Sequence, residues 1–109
     1  MEHDYKAQRA ETFETFATMD AQAALPARAV VTFQFFPEDI DADWDGVEAA
    51  LRDRGFETAR FLDEETLDAS TGPIPVTPEA IWEKERIATE VALGFSFEPD
   101  GWVLMEDGA

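Results

Sequence analysis

Ala29-Val30-Val31-Thr32-Phe33-Gln34-Phe35-Phe36 is the stretch that sets the architecture. Successive side chains of an extended chain point to opposite faces, so Val31, Phe33 and Phe35 fall on one side and Val30, Thr32 and Gln34 on the other. β-Branched and aromatic residues suit a pleated, half-buried surface. The run therefore predicts a strand with one heavily buried face. It is also the most apolar run of the chain, and Thr32 and Gln34 interrupt it. That leaves it far short of the roughly 20 residues a membrane helix needs, so no membrane association is expected.

Downstream, Pro37-Glu38-Asp39 breaks the strand. Ile40, Trp44, Val47 and Leu51 then step by four, three and four, the spacing of an amphipathic helix ending near Gly55. Asp39, Asp41 and Asp43 crowd its first turn and Arg52 and Arg54 its last, each favoured there by the helix dipole. Residues 56–62 read as a strand, Asp63-Glu64-Glu65 as a turn, and residues 66–71 as an antiparallel return. Gly72-Pro73-Ile74-Pro75 reads as an irregular link, because proline cannot donate to a strand ladder. Thr77-Pro78-Glu79 opens a helix with Thr as cap and Pro at the first helical position. The helix runs to Leu93 and stops at Gly94, a residue suited to a left-handed cap. Pro99-Asp100-Gly101 lies between two apolar runs. Either it closes a hairpin, or residues 95–98 only lead out of the helix and 101–106 form the last strand.

Upstream, residues 4–19 predict a helix, with Tyr5, Arg9, Thr12, Phe13 and Phe16 on one side. Residues 20–27, closed by Pro26, read as a connection. The order is helix, then strand, helix, strand, strand, helix, strand. Two helices on one face of an antiparallel sheet satisfy the layer rule. The expected fold is thus an α+β, ferredoxin-like βαββαβ sandwich with an added N-terminal helix. At 109 residues the chain is one domain, with its core at about 29–106.

The chain is 45% hydrophobic, with nine Phe and three Trp, enough for a core despite its charge. It has no Cys, so disulfides and Cys-based zinc sites are excluded. With its acidic start and no basic patch leading into an apolar run, this fits a cytoplasmic protein. The net charge is −17, and residues 37–70 alone hold twelve acids and only three bases, Arg52, Arg54 and Arg60. Such a surface repels phosphate backbones, so direct nucleic-acid binding is not expected. It attracts a partner with an Arg/Lys-rich segment. Solubility, or adaptation to salt or to genome composition, accounts for the same acidity without a partner.

Asp41-Ala42-Asp43-Trp44-Asp45-Gly46 matches the opening of an EF-hand loop. The twelfth position, where calcium needs a bidentate Glu, is Arg52, and the usually apolar eighth is Glu48. A solvated helix start accounts for the same residues, and no metal or other cofactor is expected. The one His, His3, sits at a terminus, Ser70 and Ser96 lack a neighbouring base, and no phosphate-binding glycine loop is present. Catalysis is not expected, and the reading is of a non-enzyme. For protein binding, Asp100-Gly101-Trp102 and Trp82 are candidate anchors, since Trp is a frequent interface residue. Trp102 reads equally well as a core residue fixing the last strand.

The ending Phe95-Ser96-Phe97-Glu98-Pro99-Asp100-Gly101-Trp102, directly after an amphipathic helix, resembles the ribonuclease E inhibitors of the regulator of ribonuclease activity B family. So does the order of the earlier parts: leading helix, aromatic-rich strand at 29–36, acidic helix start, and Gly55-Phe56 opening the next strand. The likeness covers roughly residues 4–105, and its specific element is Asp100-Gly101-Trp102. Pro99 stands where an aromatic residue is common, Val103 where a small one is, and the long acidic tail of the well-known inhibitors is missing. The resemblance implies a ferredoxin-like, non-catalytic protein that binds ribonuclease E and restrains RNA decay. The expected partner surface comprises Glu38, Asp39, Asp41, Asp43 and Asp45 with Asp100, Gly101, Trp102 and Trp82. The alternative is a self-associating structural domain, a homo-oligomer with no ribonuclease link.

Overall fold

The computed structural model describes residues 3–61, 63 and 65–106. Among them are three helices and five strands in one antiparallel sheet, an α+β architecture. In chain order the elements are α1 (Tyr5–Gln22), β1 (Arg28–Pro37), α2 (Trp44–Asp53), β2 (Glu57–Phe61), β3 (Thr66–Ser70), β4 (Ile74–Pro75), α3 (Pro78–Leu93) and β5 (Phe97–Glu106).

The period-two pattern of β1 organises everything else. Ala29, Val31, Phe33 and Phe35 are at most 1% exposed, and the intervening residues look the other way. The buried row meets Val47 and Leu51 of α2, Leu67 and Ala69 of β3, Ile81, Ala88 and Ala92 of α3, and Phe97 of β5. Each large side chain buried this way contributes about 1.5–3 kcal/mol. Edge-to-face ring contacts fix the layers: Phe33 on Phe56 at 6.3 Å and Trp44 on Phe97 at 5.0 Å between centroids.

Strand β1 is central. It pairs antiparallel with β3 (Thr32 opposite Ser70, Phe35 opposite Leu67) and with β5 (Ala29 opposite Glu106, Pro37 opposite Phe97), while β2 pairs with β3. Strand β4 continues along the β3 side of β1, since Thr71 N donates to Val31 O and Ile74 then faces Ala29. The segment 72–75 is thus only partly irregular. Pro75 is tolerated because it pairs at the first residue of β1, where a missing N–H costs little.

Caps set the helix bounds. Asp43 accepts from Gly46 N at 2.9 Å and starts α2 at Trp44, so Ile40 lies before the helix and is fully exposed. Asp39 and Asp41 are likewise outside its first turn. Thr77 caps α3 through Ala80 N with Pro78 in the first turn, as the sequence predicts. Gly94 does not take the left-handed form; its φ is −64°, and the chain turns at Ser96, whose φ is +64°. The hairpin reading at 99–101 also fails. Strand β5 runs unbroken from Phe97, earlier than residue 101, and absorbs the awkward residues as a bulge between Gly101 opposite Gln34 and Pro99 opposite Phe35. In the predicted turn at 63–65, Asp63 and Glu65 are in a turn, whereas Leu62 and Glu64 lie outside the described residues.

Helix α1 is longer than 4–19 at its C-terminal end and docks on α3. Its buried residues are Gln8 and Thr12, not an apolar stripe, and Arg9 is exposed with its guanidinium 4.2 Å over the Phe13 ring. Among the described residues no helix is long and apolar enough to cross a membrane.

Candidate functional site

Helix α3 carries an acid in its apolar stripe. Ile81, Glu85, Ala88, Thr89 and Ala92 are its buried residues, and Glu85 is only 5% exposed. A buried carboxylate needs partners, and α1 brings them. Gln8 Nε2 donates to Glu85 Oε2 at 3.1 Å and to Thr89 Oγ1 at 3.0 Å, and Thr12 Oγ1 donates to Glu85 Oε1. The Gln8 amide oxygen in turn lies 2.7 Å from His3 Nε2. Burial pushes the Glu85 carboxyl above the ordinary Glu value, against the pull of the Thr12 and Gln8 hydrogen bonds; Glu11 adds to the rise and His3 opposes it.

Above this network is a cavity of about 630 Å³ between α1 and β5. Residues 98–102 form one wall, Asp4, Gln8, Glu11 and Thr12 the other, with Glu85 between them. Five acidic residues line the cavity, Asp4, Glu11, Glu85, Glu98 and Asp100, and no Lys or Arg does. The bulge is what aims this segment. Asp100 and Gly101 are exposed, Gly101 at φ +142° where a side chain would be strained, while Trp102 is half-buried against the core.

The predicted acids do not gather at one place. Glu38 neighbours Glu98 and is not part of the cavity lining, and its N–H donates to Ser96 O at 2.9 Å. Side-chain hydrogen bonding with Glu98, then charge repulsion from Glu98, desolvation and Asp39, raise the Glu38 pKa. Asp39 lines a separate shallow hollow with Glu38, Ile40, Trp44 and Glu65. Asp43 is occupied as a helix cap, and Asp45 pairs at 2.7 Å with Arg60, which also holds Glu48 at 2.9 Å and lies 5.7 Å over the Trp44 ring. Those two carboxylates raise the Arg60 pKa further. Asp41 is exposed. Trp82 is half-buried on α3 and is not part of the cavity lining.

Neither serine stands in a nucleophile setting by its contacts: Ser70 Oγ is 2.8 Å from Thr32 Oγ1, and Ser96 forms the turn into β5. Among the described residues no group of three or more His, Asp or Glu is placed to hold a metal ion. What the arrangement can do is hold a cation. Acidic residues surround one recess that Trp102 also borders, a setting that attracts a guanidinium or ammonium group.

Sequence reasoning missed Glu85, Gln8, Thr12, Glu11 and Glu98. The signal for Glu85 was legible, as an acid at the i+4 position from Ile81 within an apolar stripe. Its partners lie more than 70 residues away in the chain and carried none. No protein-family model matches this sequence, and no curated protein matches it.

Proposed function

We propose that this chain is a non-enzymatic cytoplasmic regulator that holds a basic segment of a ribonuclease on an acidic surface and thereby restrains RNA decay. The family reading rests on Asp100-Gly101-Trp102 and its setting. Strand order β2-β3-β1-β5, with β1 and β2 flanking β3 and joined through α2, is the order a ferredoxin-like fold requires. With α2 and α3 in mutual contact over the sheet, it supports that assignment.

The observation that carries the proposal is the set of acidic residues lining the cavity, Asp4, Glu11, Glu98 and Asp100 beside Glu85 and Trp102. It turns a diffuse negative charge into a local receptor for cationic side chains. Long-range attraction then steers the encounter and the cavity fixes the register. The test is binding to purified ribonuclease E at low and high salt, together with the rate at which that enzyme cleaves RNA in the presence of the chain. Salt-sensitive binding with slower cleavage is expected. Unchanged cleavage and no binding at either ionic strength would overturn the proposal.

A further inference from the structure

Five large apolar side chains are exposed among the described residues: Phe36, Ile40, Phe61, Val103 and Met105. Four of them share one surface. On β1 the odd-numbered residues face the helices, so Phe36, with Val30, Thr32 and Gln34, faces away. Opposite them on β5 are Met105 (facing Val30), Val103 (facing Thr32) and Gly101 (facing Gln34). On β2, Phe61 lies on the same side, two steps beyond Ala59, whose β3 partner Asp68 faces Gln34. Both β1 and β5 keep contacts with α3, and α1 packs on α3 beyond it, so the helices leave this face of the sheet uncovered.

Along β1 and β5 these residues form a lane from Phe36 to Val30 and from Gly101 to Met105, with Gln34 and Thr32 lying between its apolar ends. A Cβ added at Gly101 would meet open space, so the lane is not blocked midway. At a strand rise of about 3.3 Å the lane is roughly 20 Å long. A helix covers that length in about 13 residues, and a helix laid on a sheet is the ordinary way to cover such a face.

Charge decides between possible occupants. A second copy would bring its own −17 to the contact, and the acids Glu98 and Glu57 are on or beside the face, with Arg28 at its far end already donating to Pro73 O. We infer that the uncovered face of the sheet docks a basic amphipathic helix, whose apolar stripe lies on Phe36, Val103 and Met105 and whose cationic flanks meet the surrounding carboxylates. The inference rests on the reading that the partner is cationic and adds a second, helical contact with it on the face of the sheet turned away from the cavity.

Methyl-labelled methionine provides the readout, since Met105 is on the lane and Met19 on α1. The labelled chain is titrated with a 14-residue Leu/Lys peptide of helical amphipathic pattern, and separately with a scrambled peptide of the same composition. The Met105 methyl is expected to shift with the amphipathic peptide while Met19 does not, with an affinity about ten-fold above the scramble. Val103→Lys, an exposed change that leaves the core intact, is expected to remove that preference. Equal affinity of the two peptides with a silent Met105 would overturn the docking surface and leave the cationic-partner reading standing. Failure of both peptides to bind would overturn both. A Met105 signal that changes with protein concentration alone would assign the face to a second copy and overturn the inference.

Discussion

Gln8 Nε2 donates to Glu85 Oε2 at 3.1 Å across 77 residues of sequence, and with Thr12 it joins α1 to α3 through buried polar contacts, beside which Phe16 packs against the core. One wall of the cavity therefore depends on a buried carboxylate that water does not solvate. Stability and site geometry are linked at this residue.

The Glu85 pKa is raised in the fold, so protonation favours the folded state. Its contribution is greatest below the unfolded value of about 4.3 and declines as pH rises through the raised folded value. Melting temperatures of the wild type and Glu85→Gln are to be compared between pH 4 and 8. The wild type should gain on the variant as pH falls, and a constant difference would contradict this. Glu85→Ala, which strands Gln8 and Thr12, should cost about 1–3 kcal/mol at low pH, and the loss should shrink as pH rises.

Gly46 belongs to a packing contact, whatever its likeness to a calcium loop. A Cβ there would lie 2.2 Å from Asp43 Oδ2 and 2.8 Å from Phe95 Cε1. Gly46→Ala must displace the capping carboxylate or the ring, and should cost about 1 kcal/mol or more in denaturant unfolding. Millimolar calcium should leave the melting temperature unchanged, because Asp43 and Asp45 are already engaged.

Arg60 bridges Asp45 and Glu48 and lies over Trp44, yet Asp45 is almost fully exposed. Arg60→Ala should therefore cost no more than about 1 kcal/mol, with the loss shrinking in high salt. Thermal melts at two ionic strengths check this. A larger, salt-insensitive loss would show that stacking on Trp44 dominates.

Asp100 is exposed on the bulge whereas Trp102 also packs against the core. Asp100→Asn should leave the melting temperature within about 0.5 kcal/mol of wild type in stability while weakening binding of a basic peptide. Trp102→Phe should keep the fold and weaken the same binding. Calorimetric titration with an Arg-rich peptide, beside thermal melts, separates the two effects. Undiminished binding in both variants would remove this segment from the partner surface.

Much of the fold is legible because its signals are local. The alternation in 29–36 and the Thr77-Pro78 start each depend on neighbours within a few residues, and both appear as read. The misreadings occur where a distant strand overrides local preference. Pro99-Asp100-Gly101 is a turn by composition, but pairing with Gln34 and Phe35 draws it into a bulged strand. Ile74–Pro75 joins the sheet because β1 supplies its partners. Gly94 looks like a left-handed cap, yet Ser96 takes that conformation as β5 aligns on β1.

By itself, the sequence determined the acidity, the absence of cysteine, the order of the helices and of the strands other than β4, and which residues of the central strand face inward, since charge and pleat periodicity are properties of the chain itself. Tertiary structure alone decided that Glu85 is buried under α1, that Glu38 meets Glu98, and that Phe36, Val103 and Met105 share an uncovered face. Each of these depends on elements far apart in the chain packing against one another, and residue spacing within a segment carries no record of that.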